Sequence, residues 1–166
     1  MLLKRVGACF LIRLAVVGMA LSACGCSKPN MQKPIATFQS FKLVSGAGPC
    51  PPDRDCSGFI ELSADGTLRV DHIGELPRGT VHQIKITPSE LEAILPALTA
   101  PALKGLLDTG GQNCPVLYDV WESMSLTIAG GVHEHKTTGC SDQPILDARK
   151  AIMGLAKKYF PAYFSA

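Results

Sequence analysis

The residues best placed to do chemistry are the cysteines. The 166-residue chain carries Cys9, Cys24, Cys26, Cys50, Cys56, Cys114 and Cys140. No two of them stand at the Cys-x-x-Cys spacing of a structural zinc site, so oxidation is expected rather than metal ligation. Cys50, Cys56, Cys114 and Cys140 fall within the body of the chain, where four cysteines allow three connectivities. The expected pairing is Cys50–Cys56 with Cys114–Cys140, because each pair brackets one compact local element. His133 and His135 lie two apart on a stretch that reads as a strand, so their imidazoles leave the same face. They could occupy two corners of a zinc site, but such a site needs a third ligand. His72 and His82 are the nearest candidates, and Glu134 points the opposite way. The plainer reading is a solvated pair on the outer face of an edge strand, and no metal is expected. Asp53, Arg54 and Asp55 fill the short loop between two cysteines and read as a solvated polar loop. Trp121, the one tryptophan, reads as core packing against a helix. There is no Gly-x-Ser-x-Gly elbow, no His-Glu-x-x-His and no phosphate-binding glycine loop. No catalytic residue and no cofactor are therefore expected.

These residues must be held by an ordered set of elements. Phe38–Val44 is the expected first strand. Gly46–Asp55, with Pro49, Pro51 and Pro52, must be a loop. Phe59–Ser63 and Thr67–Ile73 flank Asp65-Gly66, a strong two-residue hairpin signal. In Val81–Ile86, His82, Ile84 and Ile86 share a face. Thr87-Pro88-Ser89-Glu90 combines a capping box with proline at the first helical position. Leu91, Ile94, Leu95 and Leu98 make the stripe of that helix. Pro96 and Pro101 are expected to break the segment, leaving Pro101–Leu107 as a separate short turn. Val120–Ile128 and Val132–Thr137 form a second hairpin around Gly130-Gly131. A last helix, capped by Asp142 or Gln143, carries Ile145, Ala148, Ile152, Leu155 and Tyr159 on one stripe. The fold class is α+β: an antiparallel sheet of two hairpins plus flanking strands, with two main helices packed on one face and disulfides pinning the loops.

The N-terminus reads as a processing segment, with Lys4, Arg5 and Arg13 ahead of an apolar run from Leu14 to Leu21. That run is far shorter than the roughly 20 residues of a spanning helix. Removing residues 1–23 takes the basic residues from 16 to 13 against 14 acidic ones, and the net charge from +2 to −1. Nothing in that balance points to nucleic acid. Leu21-Ser22-Ala23-Cys24 resembles the lipobox of bacterial lipoproteins. The resemblance implies cleavage before Cys24 and lipid on its thiol, so that the membrane is a partner. Gly25 stands where the family's inner-membrane retention signal usually has Asp, which implies the outer membrane. The domains expected are a signal at 1–23, a lipidated tether at 24–37 and one α+β domain at 38–166. In the compartment this address implies, thiols are oxidised. Cys26 is left over in the tether, free or paired between chains.

Two further resemblances concern the domain. The cysteine-bearing loop, the Ala64-Asp65-Gly66-Thr67 hairpin, the Thr87-Pro88-Ser89-Glu90 helix start, the Tyr118-Asp119 corner and the strand Ser125-Leu126-Thr127-Ile128 resemble a family of bacterial envelope domains of unassigned activity. Cys114-Pro115-Val116-Leu117-Tyr118-Asp119, followed by a hairpin and Cys140, resembles the reactive region of the secreted bacterial subtilisin-inhibitor family. That implies Val116 as primary specificity residue and Val116–Leu117 as the inhibitory bond. The chain departs from the family at Val120, where proline is usual, and in the placement of Cys50 and Cys56. The expected function is a lipid-anchored, non-enzymatic binding or structural domain with an envelope protein as partner. A serine-protease inhibitor comes second, and a metal-binding protein or enzyme third.

Overall fold

In the computed structural model residues 38–164 are described. The expected signal, the lipobox, Cys24, Cys26 and the tether lie outside the described residues.

Six strands form one antiparallel sheet: β1 (Phe38–Ala47), β2 (Ser57–Ser63), β3 (Thr67–Asp71), β4 (Val81–Lys85), β5 (Val120–Ile128) and β6 (Gly131–Lys136), in the order β4-β3-β2-β1-β5-β6. The first four are a meander. The second hairpin then docks on the free side of β1, which becomes a central strand. The β2–β3 turn uses Gly66 at φ 80°, a conformation that costs glycine little. Asp65 closes that turn by accepting from the backbone N–H of Thr67 at 2.9 Å.

Strand alternation divides the sheet into two faces. On one face Phe41, Leu62, Leu68 and Leu126 are aligned across four strands, with Leu43, Ile60, Val70 and Met124 in the next row; all eight are buried. The helices cover this face. The other face carries Lys42, Glu61, Arg69, Ser123 and Ser125, all half-buried, as expected of an antiparallel sheet with one wet side.

Helix α1 spans Pro88–Leu98, and its capping box forms as expected: Thr87 accepts from the Glu90 N–H, and Glu90 accepts from the Thr87 N–H at 2.8 Å. Pro96 does not end it. The proline sits in the last turn, so it removes one intrahelical bond near the terminus, and the helix continues far enough to bury Leu98 completely. Helix α2 (Pro101–Thr109) is longer than the short turn expected and packs against β5 and β6, burying Leu103 and Leu107. Helix α3 (Gln143–Tyr159) buries Ile145, Ala148, Ile152 and Ala156. Leu155 and Tyr159, expected on its stripe, are half-buried at its edge. Tyr159 donates to both carboxylate oxygens of Glu90, at 2.9 and 2.7 Å, and Lys158 pairs with the same group. One side chain thus caps α1 and ties it to α3. A short 3-10 turn (Pro161–Tyr163) follows.

The sheet has two unlike ends. The chain enters at Phe38, beside the Asp65-Gly66 and Gly130-Gly131 turns. The opposite end holds the long loops 48–56, 72–80, 110–119 and 137–142, and both disulfides.

Candidate functional site

The loop end is built from its cysteines outward. Cys50–Cys56 and Cys114–Cys140 are disulfides, the expected pairing, with S–S distances of 2.12 and 1.92 Å. Cys50–Cys56 closes a turn that Arg78 grips from the neighbouring loop, donating to the carbonyls of Pro51 (3.1 Å) and Pro52. Within that turn Asp53 and Arg54 are exposed, as expected of a solvated loop. Asp55 departs from the expectation: it is buried, its carboxylate accepts from the Ser57 N–H, and its carbonyl accepts from Gly74.

Cys114–Cys140 joins the segment leading into β5 to the end of the β5–β6 hairpin. Asn113 O accepts from the Ser141 N–H at 3.0 Å, and Asp142 accepts from the backbone N–H and the side chain of Asn113, both at 3.2 Å. Beyond the cysteine, Gly48 N–H donates to Asp119 O at 2.9 Å. The four residues between these anchors, 115–118, are exposed, as are Val120 and Trp121 beyond Asp119. Val116 is 77% exposed, Leu117 40%, Tyr118 92%, Val120 45% and Trp121 40%. Pro115 and Leu117 lie against Gly139, where a Cβ would come within 2.9 Å of the proline ring. Tyr118 is the most exposed of the large hydrophobic residues among those described.

Trp121 corrects the expectation of a core tryptophan. Its register partner is Gly46, and its indole lies over that glycine on the open face, so closely that a Cβ there would sit 2.5 Å from the ring. The missing side chain at 46 makes the shelf. Beside it, Glu122 turns to the covered face and meets Arg149 of α3, with Nη2 at 2.6 Å and Nε at 3.1 Å from the same oxygen. Thr137 donates to this carboxylate at 2.8 Å, and Arg149 donates to the carbonyl of Thr137 at 3.1 Å. This half-buried network fixes α3 to the strands carrying the exposed segment. Sequence reading missed it, since residues 27 apart on different elements leave no spacing signal.

The two strand histidines lie on the covered face, contrary to the outer-face reading: His133 is opposite buried Leu126, and His135 opposite buried Met124. His133 bonds Asp108 of α2 through Nδ1 at 2.5 Å, and Lys104 holds the same carboxylate at 2.8 Å. These contacts keep the Asp108 carboxyl below its ordinary range, the lysine bond contributing most. The His133 ring is thus a docking point for α2. Among the described residues, the one grouping close enough for a metal is Cys114, Cys140 and Asp142, whose two sulfurs are already spent on each other.

A second polar cluster joins the C-terminal turn to the 72–80 loop. His82 Nε2 lies 2.9 and 3.0 Å from the Glu75 oxygens and 2.8 Å from Tyr163 Oη, and Tyr163 stacks on His72 with ring centroids 5.0 Å apart. Burial, and then the Glu75 charge, push the Tyr163 hydroxyl above its ordinary pKa. The cluster clamps the turn to β4.

The chain matches no protein-family model and no curated protein.

Proposed function

We propose that this chain is a lipid-anchored envelope protein without catalytic activity, whose 115–121 segment binds another protein. The observation that carries the reading is the exposure of five large apolar side chains at 116–121, on backbone pinned by Cys114–Cys140 at one side and by the Gly48–Asp119 bond at the other. Aromatic and aliphatic anchors held on a rigid frame are what a binding patch needs, because little conformational freedom is lost on association. The resemblance of Leu21–Cys24 to a lipobox supports the anchoring, and Gly25 after it supports the outer membrane as address. In-cell photocrosslinking tests the reading. A photoreactive phenylalanine analogue at Tyr118 should give a discrete crosslinked species, and the same analogue at Lys150, an exposed position on α3, should not. Equal labelling from both positions, or none from Tyr118, would count against it.

Protease inhibition is the second reading, favoured by one specific observation: Val116 is among the most exposed side chains and follows a disulfide and a proline directly. A standard-mechanism inhibitor needs an extended, pre-organised loop of this kind. Val116 is β-branched and of medium size, which suits a small apolar primary pocket. The chain should then inhibit an elastase- or subtilisin-like protease at stoichiometric concentration, with Val116→Lys redirecting it to trypsin. Absence of inhibition across a panel of such enzymes removes this reading and leaves the first intact.

A further inference from the structure

Behind the exposed segment, the covered face changes character at its third row of residues. The first two rows are filled by large buried side chains, whereas the third is Ser45, Gly58 and Glu122. Gly58 is forced: a Cβ there would collide with the carbonyl of Asp71, and it would lie 3.1 Å from the Ile73 nitrogen. Small residues on the floor leave a hollow of about 230 Å³, roofed by Met153 of α3 and walled by Leu43, Ile60, Val70, Ile73 and Phe164.

Ser45, Asp71, His72 and Glu122 are the polar residues of its lining, and they differ in bonding. Glu122 spends its carboxylate on Arg149 and Thr137. Ser45 Oγ and the His72 ring nitrogens have no hydrogen-bond partner among the described residues, although both residues are half-buried. The His72 ring stacks on Tyr163 and makes an edge contact with Phe164. An apolar pocket carrying a few convergent polar groups is the usual form of a small-molecule site.

The geometry points to this hollow as a binding site for a small neutral amphiphile: a compact apolar body, aromatic or aliphatic, ending in a hydroxyl that Ser45 and His72 receive. Size sets the body. A dry cavity of about 150 Å³ takes benzene, so 230 Å³ admits one ring with a short substituent. Charge sets the head. Glu122 lines the hollow, and Glu75 accepts from Tyr163, the ring stacked on His72. A carboxylate or phosphate would be repelled there, and among the described residues no lysine or arginine lines the hollow to receive it. The pocket lies on the covered face, so this inference does not depend on the 115–121 segment binding a protein.

The experiment uses the purified full chain, in the same detergent throughout so that partitioning cancels between variants. 4-Ethylphenol is the probe, with ethylbenzene and 4-ethylbenzoate as comparators. Binding is read from the melting temperature and from the methyl resonance of Met153, assigned with Met153→Leu. 4-Ethylphenol should shift that resonance saturably and raise the melting temperature. Ethylbenzene should bind about tenfold more weakly, the loss expected when one ordinary hydrogen bond is not made, and 4-ethylbenzoate should not bind. Met153→Trp and, independently, Ser45→Leu fill the hollow and should each abolish the thermal shift. No saturable shift of the Met153 methyl up to the solubility of 4-ethylphenol would overturn the proposal. So would thermal stabilisation that persists in whichever filled variants fold, or 4-ethylbenzoate binding as tightly as the phenol.

Discussion

At the scale of single residues, two carboxylates hold the covered side of the domain together, each in a different way. Glu122 and Arg149 are about four-fifths removed from water and bond each other directly, with Thr137 completing the network. Such a pair adds little net stability over a well-packed apolar pair, but removing one partner strands the other. Glu122→Ala should therefore cost toward the lower end of the roughly 3–5 kcal/mol seen for broken buried pairs. Urea unfolding at neutral pH measures it, and Arg149→Met in the same background should recover part of the loss. Glu90 acts through hydrogen bonds, chiefly from Lys158, then Thr87 and Tyr159, which hold its carboxyl far below the ordinary glutamate value of 4.5. A carboxyl depressed in the folded state adds stability above its unfolded pKa, and that stability disappears as pH falls towards the folded value. Glu90→Gln should thus melt below the wild type at pH 7, with the gap closing as pH drops below about 4.5. A gap that stays constant down to pH 3 would mean that the capping geometry matters and the charge does not. Asp65, lowered to about 2 by Lys85 and the Thr67 N–H, should contribute to the same acid limb.

At the scale of elements, the two disulfides differ in what they restrain. Cys114–Cys140 links residues 26 apart and Cys50–Cys56 residues 6 apart. Chain-entropy arithmetic gives about 3.5 and about 2.2 kcal/mol respectively. Replacing Cys114 and Cys140 together by serine should lower the denaturation midpoint more than replacing the other pair, and equal losses would contradict the entropic account. Much of this frame was legible in advance. Asp65-Gly66, Gly130-Gly131 and the Thr87–Glu90 box each act within four residues, where local chemistry decides the outcome. What escaped notice was decided at a distance. Pro96 looks like a breaker in isolation, yet Leu98 beyond it is fully buried, and that packing carries the helix past the lost bond. Trp121 reads as core by type, but its facing follows from its place in the alternation, and glycine opposite at 46 gives the indole a shelf. His133 and His135 were correctly placed on one face. Which face it was depended on α2, whose length the prolines disguised. In the candidate segment the disulfide could be read from the sequence, whereas the exposure of Val116, Tyr118 and Trp121 together could not. An apolar residue near a cysteine is more often buried, and only the docking of the hairpin on β1 leaves these three outside.

At the scale of the whole molecule, the sheet separates the point where the chain enters from the surface proposed to bind. Phe38 begins β1 at the turn end, and Ala47 closes it at the loop end, beside Val120 and Trp121. Ten residues of strand at about 3.3 Å each put roughly 30 Å between those ends. If Cys24 carries the lipid, the apolar segment can stand well clear of the bilayer, available to a protein and not consumed by the membrane that anchors the chain. The alternative is that Val116, Tyr118 and Trp121 insert into the interface themselves, since aromatic residues favour that depth. Trp121 separates the two, because the chain has no other tryptophan. In vesicles carrying nitroxide-labelled lipids, the emission of the mature lipidated protein should be quenched no more than that of free tryptophan in the surrounding water. A chain beginning at residue 25, carrying neither signal nor lipid, should not bind the vesicles, because no second contact holds it. Strong quenching of Trp121 by headgroup nitroxides, or retention of residues 25–166 on vesicles until Tyr118→Asp is added, would show that the loop end lies on the bilayer. The exposed segment would then be a second membrane anchor, and the search for a protein partner would move to the open face of the sheet.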